Sequence, residues 1–300
     1  MEVVRTATAP PCLSRLAPHP DGGFVGAFEA SAGTFELAHF DAAGRILGRR
    51  MLMETPADSV DLWIAGLEYI PSTDRFLVIL APNNRGGIAD INYTDNHVLL
   101  SDRQLDLQSR SVLPPQEGRI AIRLVRPVST ADGPRLLLGE DAEGRYLITD
   151  LDVREVQNSA LVPKVPGSSR RIHDVLQLRD QRLVLSAGGD LPVVAELRLD
   201  RRQGELVQAY QFEAIVESPV LAPLGPDMVL AVVKPWSKVS PEAYLARLDT
   251  RDFRFLAGSP RLRLPDGSDP GLATRSLVDA KGRIWLGFSH SPYLTRLEPH

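Results

Sequence analysis

Residues 276–288 read SLVDAKGRIWLGF, and the phrase at their centre has appeared twice before, as FDAAGRIL at 40–47 and as EDAEGRYL at 140–147. In each copy an aspartate stands three residues before a glycine, with apolar runs on either side. Aspartate accepts hydrogen bonds from the backbone that follows it, and glycine supplies the positive φ that a type I turn with a bulge demands. The phrase therefore marks a strand reversing into the next strand. A calcium or carbohydrate role for these turns would need further acidic ligands close in sequence, so the reading given to them is structural.

Working outward, a strand, a turn and a strongly apolar strand recur six times, as CLSRLAPHPDGGFVGAF, LEYIPSTDRFLVIL, RLVRPVSTADGPRLLLG, HDVLQLRDQRLVLSAG, SPVLAPLGPDMVLAVV and RSLVDAKGRIWLGF. The second strands open at Phe24, Phe76, Arg135, Leu183, Met228 and Ile284, so the units are 52, 59, 48, 45 and 56 residues apart. A unit that cannot bury its own faces must stack on copies of itself, and this spacing is that of propeller blades. Most units supply a third and fourth strand, for example TFELAHFDAAGRILGRRML and VVAELRLDRRQGELVQAYQF. The stretch GELVQAYQFEAIVE is the nearest approach to a helical period, and it too reads as a strand and a turn.

The expected fold is all-β, a six-bladed β-propeller of four-stranded antiparallel blades spanning residues 1–300 as one domain. The blades fall at about 12–53, 62–114, 119–163, 171–213, 216–265 and 273–300 plus 2–8. The last unit runs out after its third strand while MEVVRTA stands unpaired before the first. An N-terminal strand that completes the last blade would leave no open edge at the seam.

Composition narrows the partners. The formal charge is −4, with 34 basic and 38 acidic residues interspersed, which gives no positive field for nucleic acid or anionic membranes. No apolar run is long enough to cross a bilayer, and MEVVRTATAP lacks the apolar core of a signal peptide. The single cysteine, Cys12, excludes an internal disulfide and multi-cysteine zinc patterns and reads as an inert buried thiol. These features favour a cytoplasmic monomer, with a periplasmic location open if a leader has been removed.

In such a ring the loops from second to third strands, with the inter-blade loops, gather at one mouth of a central channel, where rigid scaffolds present ligand-binding groups. In the second unit this loop is the long APNNRGGIADINYTDN, which offers Asn83, Asn84, Arg85, Asp90, Asn92 and Asp95. In the fifth, KPWSKVSPEAY offers Lys234, Trp236 and Lys238, an aromatic plate flanked by cations suited to an anionic or planar ligand or an acidic peptide. Glu140, Asp141, Asp190 and His290 complete the rim, and the carboxylates are the candidates for a divalent cation such as calcium. His173, beside Asp174, is the candidate general base; neighbours on a regular strand face opposite ways, so its orienting carboxylate must come from another blade.

Two functions are compatible with this pattern. One is a binding module recognising a small molecule or partner peptide at the channel mouth. The other is a channel-mouth hydrolase or lyase acting on an ester or lactone, with a divalent metal or His173 supplying the base. Nucleophile elbows, His-Glu-x-x-His and phosphate-cradling glycine loops are absent.

DAKGRIWLG resembles the blade signature of sensor-type and SMP-30-like bacterial propellers, APHPDGGFVGAF is similar to the blade opening of TolB-like proteins, and GLEYIPSTDRFLVI resembles blades of phytase-like esterase propellers. The resemblance is one of repeat rhythm and implies the fold. The Glu-Gly-Pro and Asn-Gly phrases that carry metal ligands in SMP-30 lactonases are missing, as are Trp-Asp pairs and the sialidase Asp-box. No family residue is carried over.

Overall fold

The computed structural model describes residues 2–4, 13–55, 62–82, 95–113, 122–140, 144–161, 168–178, 180–189, 193–199, 204–212, 216–235, 244–256, 273–278, 283–288 and 294–297. Every regular element among them is a strand, and the strands make six four-stranded sheets, each antiparallel throughout. The N-terminal strand is β1 (Glu2–Val4). The first sheet then holds β2 (Leu13–Pro18), β3 (Phe24–Ser31), β4 (Thr34–Phe40) and β5 (Ile46–Glu54). The second holds β6 (Leu62–Ile70), β7 (Arg75–Pro82), β8 (His97–Ser101) and β9 (Leu107–Val112). The third holds β10 (Ile122–Thr130), β11 (Gly133–Glu140), β12 (Arg145–Thr149) and β13 (Val156–Leu161), and the fourth β14 (Ser168–Gln177), β15 (Leu183–Gly189), β16 (Val193–Leu199) and β17 (Gly204–Gln211). The fifth comprises β18 (Val216–Pro223), β19 (Met228–Pro235), β20 (Tyr244–Asp249) and β21 (Arg254–Leu256). In the sixth, β22 (Ala273–Val278), β23 (Ile284–Phe288) and β24 (Leu294–Leu297) are followed at the edge by β1, with Val3 opposite Thr295. The stretch with the ambiguous period, GELVQAYQ, is strand β17.

The second strand of each sheet shows why the sequence packs this way. Side chains alternate between the two faces of a strand, and here both faces are dry, so the strand reads as a continuous apolar run. On β7, Phe76, Val78 and Leu80 enter the core shared with the first sheet, while Leu77, Ile79 and Ala81 enter the core shared with the third. On β19, Val229, Ala231 and Val233 face the fourth sheet's side and Leu230 and Val232 the sixth's. The same division places Phe24 and Phe28 of β3 against Leu277 and Trp285 of the sixth sheet. Each fully buried Val, Leu, Ile or Phe side chain among them contributes about 1.5–3 kcal/mol of transfer free energy, and these side chains sit at the seams between sheets.

The turns repeat as well. Asp41 accepts the Ala43 and Arg45 amides on Oδ1, both at 2.9 Å, and Gly44 takes φ +81°, which is the turn chemistry expected of FDAAGRIL. Asp102 and Asp150 start turns of the same form, accepting from Gln104 and Asp106 and from Arg154 and Glu155. There the glycine's place is taken by Leu105 (φ +71°) and Val153 (φ +57°), and Phe253 (φ +50°) stands three residues after Thr250. All three apolar residues are buried. A left-handed conformation costs a non-glycine residue about 1–2 kcal/mol, which burial of the side chain offsets.

Candidate functional site

Most residues nominated from the sequence lie outside the described residues: Asn83, Asn84, Arg85, Asp90, Asn92, Trp236, Lys238, Asp141, Asp190 and His290. Lys234 and Glu140 lie on β19 and β11, opposite Glu217 and Ile122, with their side chains outside the described residues. Asp95 is exposed, and its neighbour Asn96 is buried with its side-chain oxygen accepting the Ile122 amide at 3.1 Å, joining the second sheet to the start of β10. Among the described residues no group of three or more His, Cys, Asp or Glu side chains converges to hold a metal, and no helix is long and apolar enough to cross a membrane.

What the structure brings together sits on the first strand of each sheet. These strands contact one another in the order β2, β6, β10, β14, β18, β22, and β22 also contacts β2. All six are bulged against their second strand at nearly the same place, with a register shift between Leu13 and Arg15, Ile64 and Gly66, Ile122 and Leu124, Ile172 and Asp174, Glu217 and Val220, and Ala273 and Arg275. A bulge adds one residue to one strand and re-aims the side chains beside it, and bulges are over-represented next to functional sites.

At the bulges of three consecutive first strands lies a cluster that the sequence reading passed over. The Arg15 guanidinium of β2 stands 5.3 Å from the ring centre of Trp63 on β6, and the Arg123 guanidinium of β10 stands 5.1 Å from the same ring. Arg15 Nε also donates to the carbonyl of Ala65, the extra residue of the β6 bulge, at 3.1 Å. Close approach of β10 to β6 depends on Gly66, where a Cβ would come within 2.3 Å of a Val125 methyl. Two cations from the flanking strands thus share one indole, an aromatic-and-cation arrangement of the kind expected at Trp236, which lies outside the described residues.

His173 is the extra residue of the β14 bulge, so the premise of a regular strand fails at this point. Its ring lies over Gly188 of β15, where a Cβ would fall 2.2 Å from Nε2. Asp174 is engaged elsewhere. Its Oδ1 accepts from Arg126 Nε at 3.0 Å, from Arg126 Nη2 and from the Val175 amide at 2.9 Å, and its Oδ2 accepts the Leu221 amide at 2.9 Å. Arg126 Nη1 donates in turn to Glu68 Oε1 at 3.0 Å. Burial opposes the Arg126 charge but Asp174 and Glu68 outweigh it, and the guanidinium is held above its ordinary range. The Leu221 carbonyl accepts from the Ser276 hydroxyl, so a polar belt runs from β6 through β10, β14 and β18 to β22.

Among the described residues, two clefts lie at strand-to-strand turns. One, of about 660 Å³, lies between Ser129–Ala131 and Asp180–Leu183, floored by Glu196 and Arg198. The other, of about 260 Å³, has His19 and His39 on its wall. These rings stack at 3.7 Å, and His19, buried, accepts the Asp21 amide on Nδ1 at 3.1 Å. Its Nε2 therefore carries the proton and donates to the Arg103 carbonyl at 3.0 Å, joining the first sheet to the second. Desolvation holds this imidazole below its ordinary value.

No protein-family profile matches the chain, and no curated protein matches it. Solved structures do. The WD40 β-propeller domain of Doa1 aligns with a TM-score of 0.60 at 9% identity over 100% of this chain and 97% of that one. Streptogramin B lyase aligns with a TM-score of 0.57 at 10% identity over 100% and 97%. A protein of unknown function from Bacteroides caccae aligns with a TM-score of 0.53 at 12% identity over 83% and 81%. At these identities the likeness is one of fold, and it agrees with the radial stacking of four-stranded sheets: this chain is a β-propeller.

Proposed function

We propose that the six sheets form one closed ring sealed by β1, and that the protein is a binding module whose ligand, a small molecule or partner peptide, docks where the inner strands begin. The closure is supported by the β1–β24 pairing and by the apolar cluster in which Phe24 and Phe28 meet Leu277 and Trp285. The ligand site is carried by one observation: Arg15 and Arg123, from the two strands that flank β6, both lie over Trp63. An aromatic face and two guanidinium groups gathered at the bulges of three neighbouring strands are chemically suited to recognition. The loops bearing Asn83, Arg85, Trp236 and His290 start from the same ends of the sheets by chain order and would extend the site.

The test is a thermal-shift panel of small anions, neutral metabolites and divalent cations, run on the wild type and on Trp63→Leu. A ligand that binds only the folded state raises the melting temperature. The reading expects at least one compound to stabilise the wild type and to lose that effect in the variant. Stabilisation that survives in Trp63→Leu would move the site elsewhere.

A second reading, a hydrolase or lyase of an ester or lactone, rests on His173, because the bulge and the glycine slot fix an imidazole one strand beyond Arg123. There His173 would act as general base, with a cation such as calcium at Glu140, Asp141 and Asp190 as the alternative activator. Turnover of a chromogenic ester or lactone that vanishes in His173→Ala, or on chelation, favours the enzyme; binding without turnover favours the module.

A further inference from the structure

We infer that the outer edge of β5 docks an extended segment of a partner protein, one that combines apolar side chains with an acidic one, as a fifth strand of the first sheet. This surface is separate from the channel mouth. An outermost strand presents a row of main-chain donors and acceptors, and an exposed apolar edge is a template for another strand. β5 is nine residues long and carries the two most exposed large apolar side chains among the described residues, Leu47 at 60% and Met51 at 61%. Among the described residues its far side pairs with no strand.

Between two bulges β5 runs straight from Gly48 to Met51, opposite His39 to Glu36. The Arg49 carbonyl accepts from the Arg50 side chain at 2.9 Å, as a carbonyl on an open edge does, and Met51, two residues on, shares its direction. The two faces of this run differ. On the face with Met51, Arg49 lies 5.6 Å from the Phe28 ring, and among the described residues it makes no ion pair. On the other face a Cβ at Gly48 would meet nothing within 4 Å, and the cleft of about 260 Å³ opens beside it. A partner strand laid along β5 would set an acidic residue opposite Arg49, an apolar one opposite Met51, and a side chain opposite Gly48 directed at the cleft. Charge selects the occupant. Arg45 and Arg50 are already paired with Asp41 and Asp106, whereas Arg49 lacks a carboxylate. A second copy of the run Gly48–Met51 would bring two more arginines and no acid to the joint, and like charges opposite one another are destabilising.

A fluorescein-labelled peptide of sequence Thr-Val-Thr-Glu-Val-Thr, titrated against the full chain by anisotropy, tests the inference. Its controls are a copy with lysine in place of glutamate and a copy N-methylated along the backbone. The glutamate peptide is expected to saturate, with each control at least about ten-fold weaker. Arg49→Glu should reverse the preference in favour of the lysine peptide, and Met51→Asp should weaken the glutamate peptide about ten-fold. Trp63→Leu should leave binding unchanged, so this inference and the channel-mouth reading fail separately. On the unmodified protein, raising salt from about 0.05 M to about 0.5 M should weaken the glutamate peptide, which keeps the test valid if a variant does not fold. Absence of saturable binding, equal binding of the three peptides, or a preference unchanged in Arg49→Glu overturns the inference. So does a dimer of the chain in sedimentation that dissociates in Arg49→Glu, which would give the edge to a second copy.

Discussion

Arg126 and Asp174, on consecutive inner strands, are joined through two guanidinium nitrogens that converge on one carboxylate oxygen, Nε at 3.0 Å. Neither is in contact with bulk water to any large extent, at 14% and 3% side-chain exposure. With Glu68 on the preceding inner strand and the Leu221 amide on the following one, they form a charged tie across four sheets. A buried ion pair gives little net stability over an apolar replacement, but removing one partner leaves a desolvated charge.

The Arg126→Met variant should therefore lose about 3–5 kcal/mol. The double variant Arg126→Met with Asp174→Leu should recover part of that loss. Urea denaturation of the three proteins measures both effects. A single variant as stable as the wild type would show that the tie is solvated.

Turn chemistry gives a second expectation. Gly44, Leu105 and Val153 occupy the same turn position with positive φ. Gly44→Ala should cost about 1–2 kcal/mol, because alanine adopts this conformation only with strain and gains no buried side chain in exchange. Val153→Gly should also destabilise, since the relieved strain is offset by loss of a buried isopropyl group worth about 1.5–3 kcal/mol. Chemical denaturation distinguishes this pattern from one in which glycine is simply preferred at every copy.

The fold was legible in the sequence because its signal is local: apolar runs of fixed length, separated by aspartate and glycine turns, at blade spacing. The copies of that turn lacking glycine were not, since nothing in SDRQLDL or TDLDVRE announces that Leu105 or Val153 will turn left-handed. The bulges depend on counting residues against a partner strand, which one strand's sequence does not contain. For the same reason Trp63, Arg15 and Arg123, which are 48 and 60 residues from one another along the chain, went unnoticed, as did the Glu68–Arg126–Asp174 tie. The tryptophan between lysines at 236 is legible because its neighbours are adjacent in sequence, whereas the Trp63 cluster draws one residue from each of three sheets.

Two titrations make the stability depend on pH. His19 has its folded pKa lowered by burial, so its contribution to stability is fully present above the unfolded imidazole value of about 6.5 and is lost as pH falls below it. Protonation would set Nδ1–H against the Asp21 amide and place charge beside His39, Arg49, Arg50 and Arg103, with Asp21 and Asp74 opposing. Stability of His19→Asn should fall less steeply than that of the wild type between pH 6.5 and 5.

At the alkaline end, Tyr69 is pushed up to about 12 by burial and by its hydrogen bond to Asp74, 2.6 Å from the phenol oxygen. Its stabilising effect is intact below the unfolded value of about 10 and disappears as pH rises toward 12. Tyr69→Phe should flatten the stability curve between pH 10 and 12, read as the urea midpoint. An unchanged slope would assign the alkaline loss to another group.

Closure of the ring bears on every assignment made to the inner strands, and it is tested most directly at the seam. In a Cys12→Ser background, cysteines at Val3 and Thr295, opposite one another on β1 and β24, should form a disulfide in the folded protein. That bond should raise the melting temperature under oxidising conditions and lose the gain on reduction. Two free thiols in the native protein, or a disulfide that leaves the melting temperature unchanged or lowers it, would contradict a ring sealed by its N-terminal strand.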